Sequence, residues 1–168
     1  MKQAFLEKVR SRKAAVAVVG LGYVGLPLAL RFAECGFKVI GIDTDAERVA
    51  LLARGDTYIE RYGRERIARA LRAGFSPTTS FGEIQKADAI IICVPTPLTG
   101  QREPDLSFVR AAIDACLPYL HAGQLVSLES TTYPGTTEEE IVPRVKARHF
   151  QVGVDCFVCF SPEREDPG

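Results

Sequence analysis

The sequence alternates between short apolar runs and segments of helix length, and this alternation limits the possible folds more than any other feature. Five apolar runs have the length of strands: Ala15 to Val19, Phe37 to Ile42, Ala87 to Val94, Gln124 to Leu128 and Val152 to Phe160. Six segments are predicted helices: Ala4 to Arg12, Tyr23 to Cys35, Ala46 to Arg54, Arg64 to Ala73, Leu106 to Leu120, and Thr137 to Ala147 with a bend or an interruption at Pro143. Strands that alternate with helices form βαβ units with right-handed crossovers. We therefore predict an α/β fold of the Rossmann type, a doubly wound parallel sheet with helices on both faces.

One domain of ordinary size accounts for the length of the chain, 168 residues. We predict a helical extension over residues 1–13 and a single domain over residues 14–168. The chain has 21 Lys and Arg against 21 Asp and Glu, so it lacks the basic surplus that phosphate neutralisation requires of a nucleic-acid-binding protein. The apolar runs are much shorter than a membrane span, and the N-terminus shows no signal-peptide hydrophobic region. We therefore expect a cytoplasmic protein that binds neither nucleic acid nor membranes.

The five cysteines are an odd and scattered set, and four of them lie in apolar surroundings. This pattern suits reduced core thiols in the cytosol better than a disulfide framework. Cys156 and Cys159 form a CxxC pair inside a run that is predicted to be a buried strand, where residues three apart point to opposite faces. A structural role is therefore favoured over redox or metal chemistry. Because His121 and His149 also lack metal-ligand spacing, no metal site is predicted.

A glycine-rich turn follows the first predicted strand and opens the first predicted helix, with the sequence Gly20-Leu21-Gly22-Tyr23-Val24-Gly25. Glycines at this spacing permit a tight turn, a close approach of backbone N–H groups to a pyrophosphate, and close packing of helix against strand. The N-terminus of the helix adds free donors and partial positive charge. In this strand–turn–helix context the motif predicts a dinucleotide-binding site.

A carboxylate, Asp43, follows the second predicted strand. At this position of a dinucleotide-binding fold, a carboxylate accepts hydrogen bonds from the adenosine ribose hydroxyls. It also repels a 2′-phosphate, so the sequence favours NAD over NADP. Arg48 is close in sequence and can stack on the adenosine end or hydrogen-bond to it. The structural alternatives are a turn without a ligand for the glycines and a helix cap for Asp43.

Three further polar clusters follow predicted strands: Val94-Pro95-Thr96-Pro97, Glu129 to Gly135, and Ser161-Pro162-Glu163. Each is by itself a loop with turn residues. The carboxyl ends of parallel strands meet at the edge where ligands bind, so one crevice is predicted to receive residues from all of them. Near a nicotinamide, a threonine hydroxyl such as that of Thr131 orients a hydroxyl group or a water, and a carboxylate such as Glu163 acts as a general base. For Glu163 the alternative is a solvated acid among charged neighbours.

These clusters together resemble the N-terminal NAD-binding domain of the UDP-glucose/GDP-mannose dehydrogenase family, over residues 16–168. The strings GLGYVGLPLA, VPTPLT, EPDLS, ESTTYPGTT and FSPEREDPG are most similar to the branch that acts on UDP-N-acetylglucosamine. The resemblance implies that the full-length protein oxidises the C6 alcohol of a UDP-sugar, here a UDP-N-acetylhexosamine, to the uronic acid with two NAD. It also implies a homodimer or larger assembly through a central domain that is absent from this chain.

The resemblance further implies a role for each matching residue. The pyrophosphate would be held by Gly20, Gly22, Tyr23, Val24 and Gly25, and the adenosine ribose by Asp43 and Arg48. The nicotinamide side of the cofactor would be bordered by Pro95, Thr96 and Thr131. The catalytic residues would be Thr131 and Glu163. Many members carry a second glutamate where this chain has Pro167, and this departure fits the N-acetyl-sugar branch. The nucleophilic cysteine of the family lies downstream of Gly168. The chain alone is therefore expected to bind NAD without turnover.

Two other functions remain open. A hydroxyacid dehydrogenase of the 6-phosphogluconate type shares the opening fingerprint, although the ESTTYPG and FSPER segments speak against it. A non-catalytic NAD-sensing module would need only the cofactor-binding residues.

Overall fold

The computed structural model of the chain describes residues 1–101 and 103–162. All strand pairs in its six-stranded sheet are parallel, and the strand order is β3-β2-β1-β4-β5-β6. The strands are β1 Ala15–Val19, β2 Lys38–Ile42, β3 Phe75–Thr78, β4 Ala89–Ile92, β5 Leu125–Leu128 and β6 Phe157–Phe160. The α-helices are α1 Lys2–Arg10, α2 Gly25–Glu34, α3 Ala46–Ala53, α4 Arg64–Arg72, α5 Ser107–Cys116 and α6 Val142–Ala147. This strand order belongs to the Rossmann fold, and the predicted fold class is confirmed.

Two hydrophobic cores lie on opposite faces of the sheet, and β1 contributes to both. Ala17 and Val19 pack into one core, and Val16 and Val18 pack into the other. Residues of α5 and α6 complete the first core, and residues of α2 and α4 complete the second. Both faces of a central strand are therefore covered, which is why β1 and β4 are continuous apolar runs in the sequence.

The two edges of the sheet differ from the sequence prediction. Strand β3, with the sequence Phe-Ser-Pro-Thr, was not predicted because it lacks an apolar run. It pairs only with β2, and an edge strand tolerates Pro77 because one side of it needs no ladder donors. The prediction of a buried strand from Val152 was wrong. Residues 152–156 form a turn around the carbonyl of Gln151, and β6 is a partly exposed edge strand.

The helix that begins at Thr137 is interrupted, although not at Pro143 itself. Residues Thr137–Ile141 form a π-helical turn that runs directly into α6, and Pro143 lies in the first turn of α6. Glu140 in this turn is buried and pairs with Arg110 on α5 at 2.6 Å and with Arg144 on α6 at 2.9 Å. These ion pairs join the π-helical turn to both neighbouring helices.

The N-terminal helix α1 has no buried residue, and its partly buried Val9 packs against the core that contains α2 and α4. Lys8 Nζ lies 2.6 Å from a carboxylate oxygen of Asp88, whose other oxygen accepts a hydrogen bond from Ala15 N. This bridge joins α1 to the start of β1. Within the described ranges, 1–101 and 103–162, no helix combines the length and the apolar character that crossing a membrane requires.

Candidate dinucleotide-binding site

The three glycines of the turn after β1 have different surroundings. Gly20 has φ +91°, and a Cβ added to it would lie 2.4 Å from the carbonyl oxygen of Cys93. A Cβ on Gly25 would lie 1.8 Å from the carbonyl oxygen of Gly20. Gly22 is different, because a Cβ added there meets no atom within 4 Å. Packing therefore requires glycine at positions 20 and 25, whereas Gly22 faces open space that a ligand can fill.

Helix α2 begins at the end of this turn. Leu26 N donates to Gly22 O at 3.1 Å, which closes the first turn of the helix. The amides at the start of a helix have no acceptor inside it, and they carry the positive end of the helix dipole. The exposed side chain of Tyr23 and the partly buried Val24 lie beside these amides and line the adjacent space. The local geometry is that of an anion-binding helix terminus.

A cavity of about 790 Å³ extends from Gly22 along the carboxyl edge of the sheet. Its size is within the range of small-molecule and cofactor sites. The sequence-predicted residues that line it are Gly20, Gly22, Tyr23, Val24, Asp43, Arg48, Pro95, Thr96 and Thr131. Gly25 does not line it and instead packs against the turn. Glu163 lies outside the described residues.

Asp43 lies directly after β2 and is only 9% exposed. Its Oδ2 accepts a hydrogen bond from Leu21 N at 2.8 Å, and its Oδ1 accepts one from Asp45 N at 2.9 Å. These bonds fix the carboxylate against the glycine-rich turn. Each oxygen of a carboxylate accepts more than one hydrogen bond, so Asp43 keeps acceptor capacity towards the cavity.

Arg48, on α3, is held by two neighbours. Its Nε lies 3.2 Å from Oδ2 of Asp45, and its guanidinium carbon lies 5.3 Å from the ring centroid of Tyr58. The Tyr58 hydroxyl donates a hydrogen bond to Leu21 O. Burial, assisted by the nearby Asp43 carboxylate, raises the pKa of Tyr58, so its hydroxyl stays protonated and remains a donor. Sequence reasoning missed Tyr58, because it lies in a polar segment between two helices.

The loops after β4 and β5 are joined into one wall of the cavity. Ser130 Oγ accepts a hydrogen bond from Val94 N at 3.1 Å and donates one to Val94 O at 2.7 Å. Thr96 Oγ1 donates to Thr131 O at 2.6 Å. The two predicted threonines are therefore adjacent, although they are far apart in the sequence. Ser130 was not predicted as a site residue, and it holds this wall together.

A second wall was also missed by sequence reasoning. Helix α5 presents Phe108, Ala111, Ala112 and Ala115 to the cavity, and Phe81 lies there as well. In the sequence the four residues of α5 belong to an ordinary amphipathic helix. The small side chains of its three alanines leave room between α5 and the glycine-rich turn.

The thiols of Cys116 and Cys156 are buried in the core and suit packing rather than nucleophilic chemistry. None of the five cysteines, all of which lie in the described ranges, forms a disulfide. Burial raises the pKa of Cys116 to about 12 and that of Cys156 to about 11, so both stay protonated at neutral pH. Cys156 is buried in the turn before β6 and Cys159 is exposed on β6, so the prediction that both lie in one buried strand was wrong. Over residues 1–101 and 103–162, no three His, Cys, Asp or Glu side chains are grouped so that they could hold a metal ion.

The strand order, the glycine-rich turn at the start of α2 and the cavity along the carboxyl edge define a dinucleotide-binding domain of the Rossmann class. Residues 14–168 match the sequence profile of the NAD-binding domain of the UDP-glucose/GDP-mannose dehydrogenase family. The chain belongs to this family, and the resemblance drawn from the sequence motifs is confirmed. Its cofactor is accordingly NAD.

Several relatives are similar over nearly the whole chain. The chain is 38% identical over 161 residues to a UDP-N-acetyl-D-mannosamine dehydrogenase from Yersinia pestis, and this alignment covers 91% of this chain and 38% of the relative. It is 40% identical over 155 residues to a UDP-N-acetyl-D-glucosamine 6-dehydrogenase from Pseudomonas aeruginosa, covering 91% and 36%. The structure of the UDP-N-acetyl-mannosamine dehydrogenase Cap5O from Staphylococcus aureus superposes with a TM-score of 0.85 at 34% identity, covering 92% of this chain and 38% of that one. The chain thus spans less than two fifths of the length of these relatives.

Proposed function

We propose that this domain binds NAD in the 790 Å³ cavity and belongs to a dehydrogenase that oxidises the C6 alcohol of a UDP-N-acetylhexosamine to the uronic acid. The observation that carries the proposal is the open space at Gly22, which leaves the start of α2 accessible to a pyrophosphate. Relatives named for mannosamine and for glucosamine substrates are similar to the chain to nearly the same degree. The proposal therefore names UDP-N-acetylhexosamines as the substrate class and leaves the particular sugar open.

Different residues along the cavity bind different parts of the cofactor. The turn from Gly20 to Gly25 and the start of α2 hold the pyrophosphate. Asp43 accepts hydrogen bonds from the adenosine ribose, with Arg48 beside it. The wall formed by Pro95 and Thr96 lies on the nicotinamide side, where the cofactor accepts hydride when it is bound.

Thr131 is proposed to act in catalysis together with Glu163. Its backbone carbonyl is fixed by the Thr96 hydroxyl, and its exposed side chain borders the cavity, where it can orient a water. Glu163, which is outside the described residues, is proposed as the general base that assists hydrolysis. Conversion of an alcohol to a carboxylate removes four electrons, so two NAD are consumed for each sugar. From the family resemblance we propose that the nucleophilic cysteine lies downstream of Gly168. The thiols of Cys116 and Cys156 stay protonated at neutral pH and are not candidates for this role.

Two features of the whole protein remain part of this proposal. A homodimer or larger assembly would form through a central domain, and the protein would act in the cytoplasm. The lack of a disulfide among the five cysteines of the described ranges supports a reducing compartment.

Titration calorimetry of the chain with NAD and NADP tests the cofactor site, and a full-length protein assayed with a panel of UDP-sugars tests the activity. We expect saturable NAD binding that is tighter than NADP binding, and NADH formation at two equivalents per UDP-N-acetylhexosamine. Equal affinity for the two cofactors would contradict the role of Asp43. NADH formation with UDP-glucose but with no N-acetylhexosamine would contradict the substrate class.

A further inference from the structure

Five residues at the end of the cavity beside β2 form a closed circuit of contacts, which we call the Arg48 ring: Leu21, Asp43, Asp45, Arg48 and Tyr58. Asp43 accepts from the backbone N–H groups of Leu21 and Asp45, and Leu21 O accepts from the Tyr58 hydroxyl. The Tyr58 ring lies under the Arg48 guanidinium, and Arg48 Nε returns to the Asp45 carboxylate. The circuit fixes the position of a cation relative to the glycine-rich turn.

The charges of this ring bear on which cofactor can bind. Among the described residues that line the cavity, Arg48 is the one cation, and Asp43 and Asp45 lie at the same end. In this fold an arginine near the adenosine ribose is the group that accommodates a 2′-phosphate. Here the carboxylate of Asp45 lies within 3.2 Å of Arg48 Nε, so the positive charge already has a partner.

The position of Asp45 is also fixed by its role in helix α3. Its carboxylate accepts hydrogen bonds from Glu47 N at 3.0 Å and from Arg48 N at 3.1 Å, which caps the helix. The residue that caps α3 is therefore the same residue that pairs with the Arg48 side chain. Its carboxylate remains on the cavity surface, and its side chain is 44% exposed.

We propose that Asp45 is a specificity-determining residue that excludes NADP by compensating the charge of Arg48 and holding its guanidinium over the ring of Tyr58. This inference rests on the proposed binding of NAD in this cavity. Asp43 would act directly on the ribose, whereas Asp45 acts through Arg48. The Arg48 side chain then serves NAD as a platform beside the adenosine and is not free to bind a 2′-phosphate.

The test is a comparison of NAD and NADP affinity, measured by titration calorimetry on Asp45→Asn. Asparagine keeps a side-chain oxygen for the cap of α3 and removes the charge. We expect NADP to bind about tenfold more tightly, the size of effect produced by removing one charge close to a phosphate in a water-like dielectric. NAD affinity should not rise, because NAD carries no 2′-phosphate for the released Arg48 to bind, so the NADP/NAD affinity ratio increases.

Two controls separate this mechanism from a general charge effect. The double variant Asp45→Asn/Arg48→Gln should lose the gain in NADP affinity, since the released cation is gone. Glu65→Gln makes the same change in net charge at an exposed position of α4 outside the cavity, and it should leave the NADP/NAD ratio unchanged. Asp45→Ser, which also retains a capping oxygen, should repeat the result if the asparagine variant fails to fold.

The possible failures are distinguishable. If the parent chain binds neither cofactor, the proposed function fails and this inference fails with it. If the parent binds NAD and the Asp45 variants keep the parental NADP/NAD ratio, only the role of Asp45 is overturned. A gain in NADP affinity that persists in the double variant would also overturn it, because the gain would then not come from Arg48.

Discussion

Replacing Gly22 and Gly25 separately by alanine should separate ligand binding from folding, because the two new Cβ atoms enter different surroundings. At Gly25 the added atom would lie 1.8 Å from the carbonyl oxygen of Gly20 and 3.0 Å from its carbonyl carbon, both backbone atoms. At Gly22 it would meet no atom within 4 Å, and φ of Gly22 is outside the left-handed region. The first variant strains the contact between the turn and α2, and the second only reduces the space in the cavity.

The expected magnitudes follow from these distances. Overpacking of this kind costs about 1–3 kcal/mol, and alanine recovers about 1 kcal/mol through its higher helix propensity. Because the short contact at Gly25 involves backbone that cannot rotate away, we expect Gly25→Ala to lower the free energy of unfolding by about 2 kcal/mol. Gly22→Ala should change it by less than about 0.5 kcal/mol. A methyl group at Gly22 should instead remove one charge-assisted hydrogen bond to the pyrophosphate, about 1.5–3 kcal/mol, and weaken NAD binding about 10- to 100-fold.

Urea denaturation followed by circular dichroism measures the stability, and titration calorimetry measures the affinity for NAD. Gly63→Ala is a matched control, since a Cβ there also meets no atom within 4 Å and φ is −59°, but Gly63 lies before α4 and outside the cavity. This control should leave NAD binding unchanged. Parental NAD affinity in Gly22→Ala, or parental stability in Gly25→Ala, would refute the different roles assigned to the two glycines.

Three further predictions concern single side chains. Ser130→Ala removes both hydrogen bonds to Val94 and should lower the free energy of unfolding by about 1–3 kcal/mol in urea denaturation; a loss under about 0.5 kcal/mol would show that water replaces the serine. The hydrogen bond from Arg110 lowers the pKa of Glu140 in the folded protein below the ordinary value of 4.5. The ionised Glu140 therefore stabilises the fold fully above pH 4.5, and this stabilisation is lost as the pH falls through the lower pKa of the folded state. Glu140→Gln should therefore flatten the acid-side decline of stability, and the same pH dependence in the variant and the parent would contradict this ion pair. His149 follows the end of α6 and has φ +65°, a conformation that favours glycine. We therefore expect His149→Gly to raise the free energy of unfolding by about 0.5–1 kcal/mol in thermal melts. A similar gain in His149→Ala would exclude relief of backbone strain as the cause.

The sequence alone determined the class of fold and the edge of the sheet along which the cavity lies. Central strands covered on both faces must be continuous apolar runs, and helices must show an apolar face, so β1, β4 and α2 were recognisable without tertiary information. The glycine-rich turn was recognisable because its conformation restricts the residues that fit it, as φ +91° at Gly20 shows. The Asp43 position followed from its place at the end of a strand.

The tertiary structure decided which of these residues face the cavity and what holds them there. The motif predicts different roles for its glycines, but only the structure shows that Gly22 meets open space while Gly25 lies against the carbonyl oxygen of Gly20. Ser130 and Val94 are joined by hydrogen bonds because β4 and β5 are neighbours, and Tyr58 reaches Leu21 across a similar separation along the chain. Contacts of this kind depend on strand order and register, which are properties of the whole sheet, while propensity and periodicity act only over one helix turn or one strand. The same reason accounts for β3, an edge strand that lacks an apolar run and forms by pairing with β2.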